Sequence, residues 1–346
     1  MSRPNARVYR ATKRNIAFLA QRLRAGELVA VPTETVYGLA ANGFDARACA
    51  KIFKAKGRPA EDPLIVHIHA WSQVETICHV NEAVKRLAKA FWPGPLTLVL
   101  PKKPVIPDLV TAGRDSVAVR MPAHPAFRRL LKATGVPLAA PSANPFGYVS
   151  PTTVQHVIDG LGAKIRYILD GGPARIGLES TIVDLRDPAR AAVLRPGFIT
   201  AAQIAHVLRL RVRPEVRARP ETDQSPPDLR TSGIPGIRRA RGALAPGQLA
   251  RHYSPRTRVH LHARLELPAR PDPRHAYLLM RKPGGRVGRN VFWLDPRGDL
   301  RGAARRLFAM LRRLDGGRFD VIHAELACGT GLAHAINDRL RRAAAR

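Results

Sequence analysis

Cysteine is scarce in this 346-residue chain, and its few copies are not placed for structural chemistry. Cys49, Cys78 and Cys328 are far apart, so they form neither a CxxC pair nor, with the scattered histidines, a zinc site. The sequence therefore predicts no metal centre. It also favours a reducing cytoplasm as the compartment, because secreted domains of limited size rely on disulfides.

Long apolar segments are also missing. No run of 18 apolar residues occurs, and the basic N-terminal stretch MSRPNARVYRATKRN lacks the apolar core that a secretory signal needs. We therefore expect a soluble protein without a membrane partner.

Acidic residues are outnumbered: 26 Asp and Glu stand against 58 Lys and Arg, which gives a formal net charge of +32. Arginine provides most of the excess, and its guanidinium binds phosphates in a bidentate manner. Nucleic acid or a polyphosphate is the natural partner for such a chain. The alternative is that Ala, Arg and Pro enrichment reflects genomic base composition, so charge alone does not decide the function.

The length suggests two domains. Short, β-branched apolar runs bounded by Gly or Pro predict strands of an α/β sheet at 28–32, 64–68, 96–100, 117–121 and 180–185. Amphipathic patterns predict helices between them, at 12–25, 45–56, 80–91, 124–134 and 151–159. This alternation predicts one α/β domain over residues 1–210.

The composition changes after residue 210. Residues 211–255 are rich in proline and charge and predict a linker. Beyond it, apolar runs at 275–280, 290–294 and 320–324 predict strands, and residues 299–314 predict a helix with one apolar face. We expect a smaller α/β domain over 256–346.

Two proline-stiffened loops carry most of the predicted chemistry. KGRPAEDP at 56–63 sets Lys56 and Arg58 two residues apart, and PSAN at 141–144 offers Ser142 and Asn144. Several lysines before the first loop could surround a triphosphate, although a Walker A loop occurs nowhere, so side chains must hold any nucleotide. The alternative is a solvated basic helix end that complements its dipole.

PTETVYGLA at 32–40 follows a predicted strand and presents Thr35 among other hydroxyls, a carboxylate and a glycine. Such a strand exit suits a small polar ligand, and the alternative is a turn with a helix N-cap. His67 lies inside a strand-like run, where a lone histidine is more often a core residue than a ligand; only its neighbours favour a site.

Further candidates stand at strand boundaries. Arg120 emerges from an apolar strand that begins with Ser116, so an anion should pair with it, either a ligand or a structural Asp or Glu. The neutral donors near the second loop include Ser150, although such Pro-rich loops also arise as turns. Ser180 starts a strand in GLESTIVDL and Arg195 ends one in LRPG. The cations together predict a deep basic cavity.

These blocks, in this order, resemble the YrdC-like family of L-threonylcarbamoyladenylate synthases. The resemblance is carried by PTETVYGLA, KGRPxxxPL, WPGPLTLVL, VAVRMPxHP, PLAAPSAN, GLESTIVD and LRPG, over about residues 15–200. APGxxxRHYSP (245–255) and GLAHAINDRLRRAA (331–344) resemble the longer, two-domain branch. The resemblance implies a twisted mixed sheet with flanking helices around a basic cavity, plus a smaller Rossmann-like domain.

The resemblance also implies an activity. The family condenses L-threonine, bicarbonate and ATP into threonylcarbamoyl-AMP with release of pyrophosphate, for modification of the adenosine next to the anticodon in tRNA. Mg²⁺ is expected with ATP, bound mainly through the nucleotide and water. The implied partners besides the substrates are tRNA and a downstream threonylcarbamoyl-transferring enzyme.

Matched position by position, the resemblance implies residue roles. The implied threonine-binding residues are Thr35, His67, Arg120 and Ser180. The implied ATP-binding residues are Arg58, Asp62, Ser116, Ser142, Asn144, Ser150 and Arg195, and the implied catalytic cations are Lys56 and Arg58.

Two positions depart from the family pattern. Asp62 stands where relatives often carry asparagine, and an ionised carboxylate near phosphates would be repulsive without a metal. Ala250 stands where relatives often carry an aromatic residue, in a linker that can fold over the cavity as an active-site lid.

Two alternative functions are compatible with the sequence. One is a non-enzymatic RNA-binding module that uses the basic concave surface. The other is a carbamoyl transferase of related fold, whose relatives carry acylphosphatase and zinc-finger segments that are not visible here.

Overall fold

Ten strands form one mixed sheet in the first 195 residues of the computed structural model, which describes residues 6–210, 245 and 252–345. The predictions on the central linker and on Ala250 therefore lie outside the described residues, except at its last positions. In chain order the strands are β1 Arg7–Arg10, β2 Val29–Val31, β3 Gly38–Asn42, β4 Ile65–His67, β5 Leu96–Pro101, β6 Ser116–Arg120, β7 Leu138–Ala139, β8 Tyr167–Asp170, β9 Thr181–Asp184 and β10 Ala192–Arg195.

The spatial order of this large sheet is β1-β8-β2-β3-β7-β4-β6-β5-β9-β10. The sheet contains parallel pairs such as β4 with β6 and antiparallel pairs such as β5 with β6, so it is mixed. The predicted fold class is thereby confirmed.

Helices cover both faces of the sheet. They are α1 Lys13–Arg24, α2 Ala46–Lys56, α3 Trp71–Ile77, α4 Glu82–Phe91, α5 Asp108–Thr111, α6 Pro125–Thr134, α7 Val154–Leu161 and α8 Ala201–Leu208. Helices α1 and α6 pack on one face against a cluster that contains Val29, Val31 and Leu169. Helices α2, α4, α7 and α8 pack on the opposite face.

Local signals explain where the helix before the first basic loop begins and ends. The side chain of Asp45 caps α2 by accepting from the backbone N–H groups of Arg47 and Ala48. Gly57 ends the helix in the left-handed region with φ of 64°, which a residue without a Cβ adopts at no steric cost. The chain turns sharply there, so Lys56 and Arg58 both point into the protein.

The second domain is a four-stranded parallel sheet with two helices. Its elements are β11 Arg258–His262, β12 His275–Arg281, β13 Val291–Asp295, α9 Leu300–Asp315, β14 Val321–Glu325 and α10 Leu332–Ala344, with the strand order β11-β14-β12-β13. Both helices pack on one face, around Leu307, Phe308 and Leu340. The opposite face packs against the apolar side chains of Leu265, Leu267 and other loop residues.

The two sheets are joined by a close interface. Val36, Val149 and Leu178 of the first domain share one buried cluster with α9 and α10. Gly177 lies so near α9 that an added Cβ would stand 2.5 Å from the Cα of Arg305. Within the part of the chain that the structure describes, no helix is long and apolar enough to cross a membrane.

Candidate active site

A cavity lies over the face of the large sheet that α1 and α6 leave uncovered. Its empty volume is about 490 Å³ including the part open to solvent. Strand ends and loops from across the first domain supply its walls, and the segment before the second domain supplies the rest. It is lined by Thr33, Thr35, Val36, Gly38, Arg58, Ile65, His67, Arg120, Ala140, Pro141, Ser142, Glu179, Ser180, Arg195, His252 and Tyr253.

Arg58 and Asp62 form a buried ion pair at one end of the cavity. The Nη2 atom of Arg58 lies 2.9 Å from a carboxylate oxygen of Asp62, and the guanidinium also donates to the carbonyl groups of Asp62 and Pro63. Burial raises the pKa of Asp62, while the neighbouring Arg58, Lys56 and Arg195 oppose that rise. The carboxylate therefore acts as an internal counterion to the cations around it.

Lys56 fixes the second loop. Its ammonium donates to the carbonyl oxygens of Ser142 and Asn144, both at 2.5 Å, and the side chain is buried. The amide of Asn144 in turn donates to the carbonyl groups of Pro145 and Tyr148. Lys56 thus holds the loop that carries Ser142 against the loop that carries Arg58.

Arg120 pairs with a structural carboxylate. Its Nη2 lies 2.6 Å from Glu34, its Nη1 donates to the hydroxyl of Thr35 at 3.0 Å, and its Nε donates to the carbonyl of Gly94. Of the two anion sources expected from the sequence, the structure shows the internal one. The pair is almost fully buried, which fixes the direction of the guanidinium and of Thr35 beside it.

His67 lies next to Arg120 because β4 and β6 run parallel with these two residues in register. Its ring packs on Phe127 with 5.4 Å between ring centres. Burial, with the nearby Arg120 as a smaller cause, lowers the pKa of His67 to about 3. The imidazole is therefore neutral at pH 7 and can accept or donate a hydrogen bond without adding charge.

Another wall is built on β9 and β10. The Ser180 hydroxyl lies 2.7 Å from that of Thr97 and accepts from Nη2 of Arg195 at 3.1 Å. Arg195 also donates to the carbonyl of Ser180, and burial lowers the pKa of this arginine. A cation and two hydroxyls are thus fixed on one wall of the cavity.

Glu179 extends this wall toward the second domain. One carboxylate oxygen accepts from the Ser150 hydroxyl at 2.5 Å, and the other accepts from Nε of Arg339 on α10 at 2.9 Å. Ser150 does not line the cavity itself but reaches it through Glu179.

His252 and Tyr253 close the cavity from the segment that precedes the second domain. Both are buried, and Tyr253 adopts φ of 60°, in the left-handed region. Burial raises the pKa of Tyr253 to about 12 and lowers that of His252 well below its usual value. Ala245 is also buried, among Ile65, Ile182 and Leu194 on the same face of the sheet.

Unsatisfied polar atoms gather here. Among the described residues, seven buried side-chain atoms without a hydrogen-bond partner belong to Asp62, His67, Asn144, His252, Tyr253 and Arg339, at or beside the cavity, and others lie elsewhere, at Arg22, His69, His124 and Arg128. Buried polar groups are normally hydrogen-bonded, so such a concentration indicates a place where a polar ligand supplies the partners.

The structure brings most of the residues predicted from the sequence together. Seven line the cavity: Thr35, Arg58, His67, Arg120, Ser142, Ser180 and Arg195. Lys56, Asp62, Asn144 and Ser150 lie directly behind this lining through the contacts above. Ser116 is different, because it stands at the other end of β6 from Arg120, roughly 13 Å along the strand, and does not line the cavity.

Other residues of the site received no role from the sequence. Glu34 and Glu179 lie inside the quoted motifs, but nothing local shows that their partners are Arg120 and Arg339. His252 and Tyr253 belong to the quoted RHYSP string, where a histidine and a tyrosine between proline-rich segments are the available signal. Arg339 is surrounded on α10 by other arginines and has no distinguishing sequence signal.

Comparison with known proteins gives a consistent result over both domains. A family model named for Sua5, YciO and YrdC, with the description "Telomere recombination", matches residues 21–197. A second model, described as the C-terminal domain of threonylcarbamoyl-AMP synthase, matches residues 199–345.

Individual relatives agree with the family models. The threonylcarbamoyl-AMP synthase of Pyrococcus abyssi is 41% identical over 332 residues, which covers 93% of this chain and 91% of the relative. That of Bacillus subtilis is 39% identical, with 95% and 92% covered. Among solved structures, P. abyssi Sua5 complexed with L-threonine is 37% identical, with a TM-score of 0.84 and 98% of each chain covered.

Proposed function

Because the chain belongs to the Sua5/YrdC family, in its two-domain branch, and synthesises L-threonylcarbamoyl-AMP, we propose that the cavity described above is where this reaction takes place. The reaction condenses L-threonine, bicarbonate and ATP and releases pyrophosphate, and the product serves threonylcarbamoyl modification of tRNA. One observation carries the assignment of the site. Of the nine buried Lys, Arg, Asp and Glu side chains among the described residues, all except Asp295 lie at this cavity.

The threonine end of the cavity is the corner between Arg120 and Ser180. The guanidinium of Arg120 provides charge for the amino-acid carboxylate, and the hydroxyls of Thr35 and Ser180 provide neutral partners. His67 is uncharged here, so it can bond to the amine or hydroxyl of threonine without repelling either. This assignment is supported by the relative whose solved structure is described as complexed with L-threonine.

The nucleotide end is the side that holds Arg58, Lys56 and Arg195. Five buried cations, counting Arg120 and Arg339, stand against three buried carboxylates, Glu34, Asp62 and Glu179. This excess positive charge suits a triphosphate. Ser142, Asn144 and Ser150 add donors for the ribose or phosphates, whereas we do not propose that Ser116 contacts ATP directly.

The chemistry needs a confined site. The amine of threonine adds to the carbon of CO2 derived from bicarbonate and loses a proton, which gives a short-lived carbamate. A carbamate oxygen then bonds to the α-phosphorus of ATP, and the bond from that phosphorus to the bridging oxygen breaks as pyrophosphate leaves. The side chains of the cavity hold the two reactants together and stabilise the charge on the phosphate oxygens.

Mg²⁺ is part of the proposal as a companion of ATP, where it would neutralise phosphate charge. Among the described residues no group of three or more His, Cys, Asp or Glu side chains could hold a metal ion. Asp62 has both carboxylate oxygens without a hydrogen bond, but it is already paired with Arg58. The donor set therefore fits an ion carried by the nucleotide and water rather than by a protein cage.

The alternative functions receive less support. The cations of the cavity are buried, with Arg58, the most exposed of them, at 7%, so they do not form a surface on which RNA could lie. A carbamoyl transferase would share the fold, but the relatives that match both domains are named as threonylcarbamoyl-AMP synthases.

Further partners are proposed on chemical grounds. The mixed anhydride product is unstable, so an enzyme that transfers its threonylcarbamoyl group to tRNA should act next, whether or not this chain binds tRNA itself. We propose the cytoplasm as the site of reaction, because Cys49, Cys78 and Cys328 are free thiols.

The test is pyrophosphate release by the purified protein with ATP, Mg²⁺ and bicarbonate, with and without L-threonine. We expect release only when threonine is present, and serine should support less. Threonine-independent release would contradict the proposed reaction, and loss of release in Arg58→Ala but not in the surface variant Arg190→Ala would support the proposed site.

A further inference from the structure

Arg339 is a fully buried charge in the second domain that contacts the catalytic domain. Among the described residues it is the largest side chain that is fully buried, with 0% of its surface exposed. Its Nε donates to Glu179 at 2.9 Å, and its Nη1 donates to the carbonyl of Pro196 at 2.9 Å. Nη1 also donates to the adjacent Asp338 at 2.6 Å. The guanidinium therefore faces the wall of the cavity rather than the core of its own domain.

The contact with Glu179 leads directly into the cavity. Glu179 lines the cavity and accepts from Ser150 with its other carboxylate oxygen. The next residue, Ser180, is held by Arg195 and Thr97. Arg339 thus fixes one carboxylate whose position determines where the Ser150 hydroxyl and the Ser180 wall stand.

The contact with Tyr253 reaches the cavity by a second route. The guanidinium of Arg339 lies 5.2 Å from the centre of the Tyr253 ring, and this ring also packs on Phe308 of α9. Tyr253 lines the cavity, and its hydroxyl and Nη2 of Arg339 both lack hydrogen-bond partners among the described residues. Two buried donors on this wall therefore remain for a ligand.

Folding of the second domain does not explain this residue. Replacing a buried ion pair with apolar groups of similar volume is often neutral or stabilising, so stability alone gives no reason for an arginine here. On the same helix, Ile336, Leu340 and Ala343 supply the apolar contacts with the second-domain core.

We propose that Arg339 is a positioning residue for threonylcarbamoyl-AMP synthesis, which holds Glu179 and Tyr253 at the back of the cavity. The inference rests on the proposed function of the cavity. It makes the second domain part of the active site, since without Arg339 the Glu179 carboxylate would keep Ser150 as its remaining side-chain partner.

The test compares Arg339→Met with Arg306→Met in the full chain. Arg306 also lies in the second domain but bonds within it, to the carbonyl of Leu294 and to Asp295. For Arg339→Met we expect kcat/KM for ATP to fall about 10- to 100-fold, the size expected for misplaced reactive groups, and Arg306→Met should keep the wild-type value.

The pH profile separates positioning from a merely structural role. Without Arg339, Glu179 is a buried carboxylate without its cation, and burial without a partner favours the protonated form of a carboxylate, so the pH profile of kcat/KM in Arg339→Met should gain an ionisation. The double variant Arg339→Met with Glu179→Gln should lose this ionisation and recover part of the activity. The inference would be overturned by a wild-type pH profile in folded Arg339→Met. Equal losses of kcat/KM in Arg339→Met and Arg306→Met would overturn it as well.

A second variant covers the case in which Arg339→Met does not show a cooperative thermal transition. Arg339→Lys keeps the charge but loses the fork that reaches Glu179 and Pro196 together, so we expect a folded protein with a partial, severalfold loss of kcat/KM. Unchanged kcat/KM in Arg339→Lys would overturn the proposal. If the wild type itself shows no threonine-dependent pyrophosphate release, the proposed function fails instead.

Discussion

The two domains of this protein differ most in where they bury charge. The large mixed sheet of the first domain carries seven buried Lys, Arg, Asp and Glu side chains, all at one cavity. The parallel sheet of the second domain has an apolar core and two buried charges, Asp295 and Arg339. Asp295 accepts hydrogen bonds from loop backbone N–H groups, whereas Arg339 points into the first domain.

This difference indicates that charged side chains are buried where a ligand binds and not where they would serve only to stabilise the fold. Desolvating an ion costs several kcal/mol, so a domain that only needs to fold avoids it, as the second sheet does. The first domain accepts this cost at a single place. Each cation there is compensated by a carboxylate or by carbonyl oxygens, which keeps the cavity stable while no substrate is bound.

The largest expected effect comes from Arg120→Ala. It should leave Glu34 buried without its cation, which would lower the free energy of unfolding by about 3–5 kcal/mol. It should also reduce threonine-dependent pyrophosphate release at least about 100-fold, as expected when a buried charged donor at the reaction centre is lost. Urea unfolding and the release assay measure the two effects. A variant that remains stable and active would contradict the conclusion that the first domain buries its charges at the cavity to serve the reaction.

The matching change in the second domain is Leu307→Ala. Leu307 is fully buried in the apolar core, so the cavity created should cost about 2–5 kcal/mol of unfolding free energy. Because Leu307 itself does not line the cavity, the folded fraction should keep most of its kcat. A fall in kcat as large as that of Arg120→Ala would contradict the separation of roles, once equal folded fractions have been verified by circular dichroism.

The third prediction uses pH. Burial lowers the pKa of His67 to about 3, so the unfolded chain binds more protons than the native state between about pH 6.5 and pH 3. Stability should therefore fall as pH decreases through this window, by up to about 1.4 kcal/mol per pH unit from this residue. His67→Gln should flatten that slope, measured as melting temperature against pH.

A histidine of the second domain serves as the control for this slope. The pKa of His323 is lowered by partial burial and by its neighbours His262, His275 and His260, so the sign is the same. His323 is only half-buried, and His323→Gln should change the slope less than His67→Gln. The reverse order would show that the second domain, not the cavity, dominates acid sensitivity.

A smaller effect is expected for Asp62→Asn. Removing this carboxylate takes away a negative charge that opposes the phosphates of ATP, so the KM for ATP should fall about two- to tenfold. Burial raises the pKa of Asp62, so the native state holds this proton more tightly than the unfolded chain does. The free energy of unfolding of the wild type should therefore fall as pH rises above about 4, and Asp62→Asn should lose this dependence. A higher KM would instead show that Asp62 organises Arg58 for ATP, and Asp108→Asn on the surface is the control.

The smallest effect should come from Arg186→Ala. Arg186 pairs with Asp184 near the surface, with its side chain 40% exposed. Such pairs contribute less than about 1 kcal/mol, and activity should not change. This variant is the reference for Arg120→Ala, because the same substitution removes an ion pair in both cases. The difference between the two losses of unfolding free energy then reports the effect of burial.

Local patterns predicted many of the elements. The run LTLVL predicts a strand at 96–100, and the structure has Leu96–Pro101; the amphipathic pattern at 299–314 corresponds to Leu300–Asp315. The patterns missed Gly38–Asn42, because a strand of glycine and alanine in the middle of a sheet has no β-branched signal. They also missed Arg258–His262, where arginine and histidine interrupt the apolar residues.

The candidate site was predicted as a set of residue types rather than as a set of contacts. Arg58 and Lys56 were predicted from their own loop, because a glycine and a proline beside two cations already indicate a fixed anion site. The family resemblance implies an ATP contact for Ser116, which begins the strand that Arg120 ends, and the length of that strand separates the two residues. The Glu179 and Tyr253 walls escaped prediction because their partners come from the second domain.

The sequence by itself determined the chemistry: the family blocks, the excess of cations and hydroxyls at strand ends, and the two-domain order. The tertiary structure decided which charge faces which. Glu34 and Arg120 are 86 positions apart and Glu179 and Arg339 are 160 apart. A carboxylate in a sequence can pair with any of 58 cationic side chains, and only the packing of the sheet, α10 and Tyr253 around one buried volume selects its partner.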